Sequence, residues 1–297
     1  MGKIAADLER ALARREAEGV RGAVTPRVLA SGAGWSVDDV LCTSGPRDKP
    51  FEERHERVCV AMVTAGAFEY RSPAGAGLMT PGAVLLGNAG TCFECGHRHH
   101  AGDRCVAFRY TPGYFEQIAA DAGIRNRDAG FATVRIPPLR PLAPLVAAAC
   151  AGVMSASAVA WDELALAVAA QALRVAAGMP AVDARGVPET ALARIAPVLR
   201  LIDIAPDDAL NVERLAQHAG LSPYHFLRTF ERVTGVTPHQ YLLRARLRAA
   251  AQRLAEERTK IVDIALDCGF NDVSNFNHAF RAEFGASPRA YRLEARR

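Results

Sequence analysis

The chain has 297 residues, half of them hydrophobic and 23% charged, and it carries a formal net charge of +4. It is long enough for two domains with cores of their own, and its composition is that of an ordinary globular protein. No apolar run is long enough to span a bilayer, and the charged N-terminal segment excludes a secretory signal. We therefore expect a cytoplasmic protein without a membrane anchor, whose seven cysteines are reduced thiols.

The first two thirds of the chain predict a helix, then strands, then further helices. Residues 3–18 have Ile4, Leu8 and Leu12 at four-residue spacing, which favours an amphipathic helix. Between residues 35 and 110, short β-leaning runs alternate with Gly and Pro turns, a pattern typical of a small sandwich or barrel. Three helical segments follow, and they begin at Pro112, Pro141 and Trp161.

The last third of the chain contains an internal repeat. The stretch "VERLAQHAGLSPYHFLRTFERVTGVTPHQY" aligns with "IVDIALDCGFNDVSNFNHAFRAEFGASPRAY", with one residue inserted at the turn. Agreement over hydrophobic, glycine and proline positions indicates one supersecondary unit that is used twice. The matching pairs include Leu215 and Ile264, Gly220 and Gly269, Phe226 and Phe276, Phe230 and Phe280, Gly235 and Gly285, Pro238 and Pro288, and Tyr241 and Tyr291.

Each unit has the pattern of a helix-turn-helix. An apolar first helix stops at a glycine, Gly220 or Gly269, which can adopt a positive φ. A polar residue then caps the second helix: Ser222 in the first unit, and Asn271 or Asp272 in the second. Within each second helix, phenylalanines four residues apart are expected to face the core. The polar side chains between them then face outward, as those of a recognition helix in the major groove do.

Between the two units, residues 238–257 predict one long helix without an internal proline or glycine. Such a helix can hold two recognition helices at the spacing of successive major grooves, on the order of 34 Å. Two interpretations of its arginines stay open, a solvated helix face and a track of phosphate contacts. The arginines are Arg244, Arg246, Arg248 and Arg253.

Residues 190–297 resemble the DNA-binding domain of the AraC/XylS family of bacterial transcription regulators. The resemblance rests on the paired units "LSPYHFLRTFERVTGVTPHQYL" and "DIALDCGFNDVSNFNHAFRAEFGASPRAYR". It implies seven helices that dock as a monomer into two grooves, and a regulatory domain in the N-terminal part. The implied base-contacting residues are Tyr224, His225, Leu227, Arg228, Val273, Ser274, Asn275 and His278.

His278 departs from the family pattern, in which an arginine is frequent at this position. Histidine is shorter than arginine and mostly neutral near pH 7, so it lacks the bidentate guanine contact that arginine makes. We therefore predict that the second unit discriminates less between DNA sequences than the first unit does.

The resemblance also implies an N-terminal cupin-like β-barrel and helices that pair two subunits. The predicted fold class is α+β: a cupin-like β-barrel with flanking helices, then an all-α double helix-turn-helix domain. For the apolar helices of residues 139–177, pairing of subunits and packing against the barrel are both open. The expected divisions are residues 1–30 for an N-terminal helical extension, 31–180 for the sensor and dimerisation domain, 181–188 for a linker, and 189–297 for the DNA-binding domain.

Metal-ligating residue types are crowded into residues 91–105, "TCFECGHRHHAGDRC". If "CFEC" is extended, Cys95 and His97 share one face and Cys92 lies on the other. "HRHHAGD" predicts a hairpin loop that brings Cys105, on the returning strand, close to Cys95. The open interpretations are a zinc site with Cys95, His97, Cys105 and a further ligand such as Cys92, a Cys95–Cys105 redox pair, part of a small-molecule pocket, and buried thiols with solvated histidines. The remaining cysteines, Cys42, Cys59, Cys150 and Cys268, are expected to be core residues.

The predicted function is sequence-specific, non-enzymatic regulation of transcription, with an N-terminal domain that senses a small molecule. An alternative is a metal- or redox-responsive regulator that acts through residues 92–105. A metal-dependent cupin enzyme is disfavoured, because its first ligand cluster would be reduced to Glu53, His55 or Glu56. The expected partners are promoter or operator DNA, RNA polymerase and a second copy of the chain, and zinc is the candidate cofactor.

Overall fold

The computed structural model describes residues 2–124, 130–154, 159–179, 187–206 and 210–295. Helix α1 (Gly2–Glu18) is followed by strands β1 (Val24–Gly32), β2 (Trp35–Cys42), β3 (Phe51–Arg54), β4 (Val58–Gly66), β5 (Phe68–Ser72), β6 (Gly75–Met79), β7 (Val84–Gly87), β8 (Cys92–Gly96) and β9 (Asp103–Tyr110). Next come α2 (Pro112–Asp121), β10 (Arg135–Ile136), a 3-10 turn at Arg140–Leu142, α3 (Ala143–Met154) and α4 (Trp161–Ala177). The rest is helical: α5 (Glu189–Ile204), α6 (Val212–His218), α7 (Pro223–Thr234), α8 (Pro238–Glu256), α9 (Ile261–Asp267), α10 (Val273–Phe284) and α11 (Pro288–Glu294).

The strands form two antiparallel sheets. The larger has the order β1-β2-β9-β4-β7-β10, and the smaller has the order β3-β8-β5-β6. An apolar core that includes Val63, Phe68, Tyr70 and Leu85 joins strands of the two sheets. Within the described residues no ladder pairs a strand of one sheet with a strand of the other, so the sheets are not closed into a barrel. The mixed class with a helical C-terminal part is confirmed, and a closed cupin-like barrel is not.

Strand β4 is buried along almost its whole length because the larger sheet is covered on both faces. Its side chains alternate: Val60 and Met62 join a core with the helices, while Cys59 and Ala61 join the core between the sheets. Helices α1, α3 and α4 contact the outer face of this sheet. The spacing that predicted α1 is confirmed, since Ile4 is completely buried there.

Two local predictions were wrong. Residues 24–30, the end of the predicted helical extension of residues 1–30, are not helical: they belong to β1, which pairs with β2 from Val24 opposite Cys42 to Gly32 opposite Trp35. The hairpin around Cys95 and Cys105 is also absent from the described strands, because β8 pairs with β3 and β5 while β9 pairs with β2 and β4. The loop between them therefore crosses from one sheet to the other.

The helical C-terminal part has one core for each repeated unit. The first core contains Phe226 and Phe230, and the second contains Phe276 and Phe280. Side chains of the N-terminal part pack into both of these cores. Leu78 of β6 belongs to the first core, and Ala147 of α3 belongs to the second.

The segment from β10 to the start of α3 connects the N-terminal part to both units. Arg135 is half-buried and donates hydrogen bonds to the carbonyl oxygens of Leu78 (2.9 Å) and Val233 (2.8 Å). Burial lowers the pKa of its guanidinium to about 10, which still leaves it charged near neutral pH. Arg140 lies farther along and reaches Glu283 of α10, with 3.5 Å between Nε and Oε2. One short segment thus contacts both second helices of the repeat.

The predicted linker, residues 181–188, lies outside the described residues except for its last two positions, and Pro188 directly precedes α5. The other expected domain limits remain predictions. In the part of the chain that the structure describes, no helix combines the length and the apolar character needed to cross a membrane.

Candidate functional site

The first unit ends its first helix and begins its second as the sequence predicts. After α6, Gly220 has a φ of 62°, and the amide of Leu221 donates to the carbonyl oxygen of Ala216 at 3.0 Å. Ser222 caps α7, and its hydroxyl accepts a hydrogen bond from the amide of His225. The turn therefore fixes where α7 starts and which of its faces points outward.

Helix α7 has one completely buried face and one exposed face. Phe226 and Phe230 are completely buried, whereas Tyr224 is 64% exposed and Leu227 is 39% exposed. His225 and Arg228 are exposed as well. An exposed tyrosine and leucine on a helix that already has a complete apolar face indicate a surface that is available to a partner.

Arg228 and Tyr224 touch each other on this exposed face. The guanidinium of Arg228 donates to the hydroxyl of Tyr224 at 3.4 Å, and its Cζ lies 5.9 Å from the centroid of the tyrosine ring. On the other side of Tyr224, the rings of Tyr224 and His225 meet edge to face at 5.7 Å. The three side chains therefore form one ordered polar surface at the N-terminal end of α7.

The second unit repeats this arrangement with different side chains. Of the two predicted caps, Asp272 is the one that caps α10: its carboxylate accepts hydrogen bonds from the amides of Ser274 (2.8 Å) and Asn275 (3.3 Å). Ser274, Asn275 and His278 are exposed, and Val273 is half-buried. The polar residues that the sequence assigns to this recognition surface are thus available for contacts.

The arginines of α8 do not form an open phosphate track. All four are half-buried. The Nε of Arg244 lies 3.3 Å from Oε1 of Glu283, and Arg246 donates to the carbonyl oxygen of Pro206 at 2.6 Å. Arg253 pairs with Glu257 (2.9 Å) and with Asp267 (2.9 Å). The phosphate-track interpretation therefore does not fit these three side chains, because protein groups already pair with them.

The predicted ligands of residues 92–105 are only partly brought together. Cys92 is exposed on β8, opposite Arg54. Cys95 and Cys105 are buried and belong to the core between the two sheets. The structure does not bring Cys92, Cys95, His97 and Cys105 together as one set of zinc ligands: within the described residues, the clustered metal-ligand atoms belong to a different set of residues.

That set is Cys42, His97 and Asp103, whose potential ligand atoms lie within 4.8 Å of one another. The Nε2 of His97 is 2.8 Å from an oxygen of Asp103, and the thiol of Cys105 donates to the other oxygen at 3.3 Å. Burial opposes a charge on His97, but the hydrogen bonds with Asp103 and Cys42 outweigh it and raise the pKa of His97 to about 9. Sequence reasoning missed Cys42 and Asp103, because their proximity follows from the pairing of β2 with β9.

The thiols of Cys95 and Cys105 are poor candidates for a redox pair. Burial, together with the nearby carboxylate of Asp103, raises the pKa of both thiols well above the usual value. Thiols held neutral react slowly with oxidants, since the thiolate is the nucleophile. The metal-free protein therefore offers no activated cysteine at these two positions.

A cavity of about 1070 Å³ opens between the two sheets. Its walls include the ion pair of Asp38 and Arg109, the imidazole of His55 and the thiol of Cys59. His55 is bonded through Nε2 to the hydroxyl of Tyr70 at 2.8 Å, and burial followed by the charge of Arg109 lowers its pKa to about 4. The imidazole is thus neutral, and the cavity offers both polar and apolar contacts.

Comparison with known proteins gives matches to the C-terminal part of the chain. A family model described as a helix-turn-helix domain matches residues 215–294. The probable transcriptional regulator LumQ of Photobacterium leiognathi is 39% identical over 84 residues, which are 28% of this chain and 34% of LumQ. The transcriptional activator AarP of Providencia stuartii is 34% identical over 84 residues, which are 28% of this chain and 62% of AarP.

One solved structure that resembles this part is the DNA-binding domain of the global transcriptional factor AdpA in complex with a target DNA. It is 31% identical, covers 34% of this chain and 93% of its own, and has a TM-score of 0.32. The chain spans only about a third of the length of LumQ and 62% of AarP, so these relatives describe the helix-turn-helix region alone. Within that limit, the repeat, the two capped and exposed helices and the matched residues agree: the C-terminal part of the chain contains a helix-turn-helix domain similar to those of these transcription regulators.

Proposed function

We propose that the chain is a sequence-specific DNA-binding regulator of transcription, with an N-terminal part that senses a chemical signal. The observation that carries this proposal is the matched exposure of α7 and α10. In both helices the phenylalanines are buried and the side chains one and two residues after them, such as Arg228 and His278, are exposed. Structural packing explains the buried positions, and DNA contact explains the exposed ones.

The two helices are suited to base contacts by their N-terminal ends. Arg228 carries the guanidinium group that recognises guanine in a bidentate manner, and Asn275 carries an amide that can recognise adenine. The contact with Tyr224 restrains Arg228 before it meets DNA, which reduces the ordering cost on binding. The α8 arginines Arg244, Arg246 and Arg253 already pair with groups of the protein. We therefore expect groups at the ends of the recognition helices to make the phosphate contacts.

The cavity between the sheets supports a small molecule as the signal. Its volume of about 1070 Å³ and its mixed lining, with the Asp38–Arg109 pair and His55, match the general features of ligand pockets. We assign the predicted sensing of a small molecule to this cavity, which lies between two sheets that are not closed into a barrel. We propose no enzymatic role for the cavity, since the imidazole of His55 is hydrogen-bonded to the hydroxyl of Tyr70 and stacks on the ring of Phe93 at 4.1 Å.

The outer surface of α3 and α4 supports the pairing of two copies of the chain. One side of α4 packs into the core through Leu164 and Val168, while Leu166 on another side is 44% exposed. Leu145 of α3 and Ala170 of α4 line a shallow groove beside it. Two linked copies would bind two operator half-sites more tightly than one copy binds one. RNA polymerase is a further proposed partner, in line with the activator name that AarP carries.

Recovery of bound fragments from a genomic DNA library tests the proposal. The full chain is compared with the Arg228→Ala/Asn275→Ala double variant, whose substitutions lie on exposed positions. We expect the wild type to enrich fragments with a shared motif that has two parts about one helical turn apart. Enrichment without any shared motif, or an unchanged motif with the double variant, would contradict sequence recognition by these helices.

A further inference from the structure

Four metal-ligating side chains meet at one end of the sandwich, away from the recognition helices. Cys42 ends β2 and is paired directly with Asp103, the first residue of β9. Residues opposite each other in an antiparallel pair project to the same face, and so do residues two apart in one strand. Cys42, Asp103 and Cys105 therefore share the inner face of the larger sheet. His97, which follows β8 of the smaller sheet, meets them from the other side.

The group is compact and shielded from solvent. His97 and Asp103 are each 5% exposed, and Cys42 is 3% exposed. The contact of 2.8 Å between His97 and Asp103 and the contact of 3.3 Å between Asp103 and Cys105 link three of the four side chains. Cys42, Asp103 and Cys105 also line the cavity between the sheets, which provides a path by which an ion can enter.

We propose that Cys42, His97 and Asp103 bind one Zn²⁺ ion and that Cys105 supplies the fourth ligand. Two sulfurs, one imidazole nitrogen and one carboxylate oxygen are a donor set that zinc prefers in tetrahedral geometry. Ligand atoms about 2.0–2.3 Å from a tetrahedral ion lie about 3.3–3.8 Å from one another. To admit the ion, the 2.8 Å contact between His97 and Asp103 needs to open by about 0.5–1 Å. The sulfur of Cys105 contacts Asp103 but lies outside the group of ligand atoms within 4.8 Å of one another, so it needs to move toward Cys42 and His97.

Binding exchanges protons for the ion. The ring nitrogen of His97 that faces Asp103 releases its proton, and the thiols of Cys42 and Cys105 release theirs. The three protons leave to solvent as the nitrogen and the two sulfurs bind the cation. The affinity must therefore fall as the pH is lowered, because protons compete for three of the four ligands.

Metal titration of the full chain after treatment with a chelator tests the site. Zn²⁺ is added in competition with a coloured chelator, and Co²⁺ is added separately as a spectroscopic substitute. We expect one equivalent of either ion to bind, and the Co²⁺ protein to show tetrahedral d–d bands with thiolate charge-transfer absorption. Absence of saturable binding at one equivalent, or a six-coordinate Co²⁺ spectrum without thiolate bands, would overturn the proposal.

Variants assign the ligands. Asp103→Asn keeps an oxygen that can accept from His97, and Cys42→Ala keeps a small apolar side chain, so both are chosen to preserve packing. Each is expected to weaken Zn²⁺ binding at least about 10-fold, the size of effect seen when groups at a metal site are altered. Cys92→Ser is the matched control, because Cys92 is an exposed thiol on β8 that lies outside the cluster. Loss of binding in Cys92→Ser with retention in Cys42→Ala would assign the ion to the surface thiol and reject the buried site.

Discussion

Arg244 of α8 and Glu283 of α10 form an ion pair in the interior of the second unit, with 3.3 Å between Nε and Oε1. Glu283 is 6% exposed, and its second oxygen faces Arg140, which comes from the N-terminal part of the chain. The carboxylate therefore connects the long helix, the second recognition helix and the sandwich. Its removal would leave the guanidinium of Arg244 in a poorly solvated place without its acidic partner.

We predict that Glu283→Ala lowers the free energy of unfolding by about 3–5 kcal/mol, the cost of breaking a buried ion pair from one side. Arg140→Ala should cost less than about 1 kcal/mol, because the side chain of Arg140 is 58% exposed and water screens its charge. Chemical denaturation of the full chain measures both values. Arg281→Ala, at an exposed position on the same helix, serves as the control. Equal losses for Glu283→Ala and Arg281→Ala would refute a structural role for the buried pair.

For DNA binding, we predict that Arg228→Ala weakens specific binding more than His278→Ala does. Loss of a bidentate guanine contact costs about 1–3 kcal/mol, or about 5- to 150-fold in Kd. The His278→Ala substitution removes less, since the shorter histidine side chain makes at most a single contact with a base. Gel-shift titration on a recovered operator and on unrelated DNA separates specific from non-specific binding. Arg232→Ala, one turn farther along α7 and also exposed, is the control. Comparable losses at Arg228 and His278 would contradict the ranking of the two units.

His97 makes the stability of the metal-free chain depend on pH. Its pKa is raised from 6.5 to about 9 in the folded state, so the folded state holds a proton that the unfolded state releases between these values. The stabilisation is complete below pH 6.5 and is lost as the pH rises through 9; its size is about 3 kcal/mol. Denaturation of chelator-treated protein at pH 6 and pH 9.5 should show this loss in the wild type and a smaller one in His97→Gln. His55→Gln should lose nearly as much stability as the wild type, because the pKa of His55 is lowered from 6.5 to about 4 and its own effect is confined to pH values below about 6.5.

Asp203 changes the stability in the same direction as His97 but over a different pH range. Burial raises the pKa of this carboxyl group to about 7, although a hydrogen bond from Tyr241 at 3.2 Å favours the charged form. The folded state therefore binds an extra proton between about pH 4 and pH 7, and stability falls as the pH rises through this range.

We predict that Asp203→Asn stabilises the chain at pH 8 and has little effect near pH 4. The expected gain is about 1–2 kcal/mol, less than the pKa shift alone would give, because the side chain keeps some contact with water. Thermal unfolding at the two pH values checks this, with the exposed Asp263→Asn as control. A variant that is less stable than the wild type at pH 8 would show that the carboxylate is charged in the fold and needed there.

The two recognition helices could be predicted from the sequence because the signals that define them are local. The glycine at the end of the first helix, the cap at Ser222 and the pair Phe226 and Phe230 lie within one short stretch, and the second unit repeats the pattern. Asn271 and Asp272 could not be separated by sequence, since either can cap a helix. The exposure of Arg228 and His278 follows from the same periodicity.

The remaining features depend on contacts between residues far apart in the chain. The partners of Arg244 and Arg246 are Glu283 and Pro206, and neither is marked by a motif. The meeting of Cys42 with Asp103 depends on the register of β2 against β9, which hydrophobic patterning does not determine at the ends of strands. Assignment of β8 and β9 to different sheets depends on the whole strand order in the same way.

The presence of Leu78 and Ala147 in the cores of the two repeated units has a practical consequence for truncated proteins. A fragment that starts near Pro188 would lose both side chains, along with the hydrogen bond from Arg135 to Val233. Each repeated unit of such a fragment would expose apolar core side chains to water, and the fragment would tend to self-associate at high concentration. Shortened versions intended for crystallisation with an operator would need polar substitutions at the neighbours of those two residues, or would need to retain strands β6 to β10.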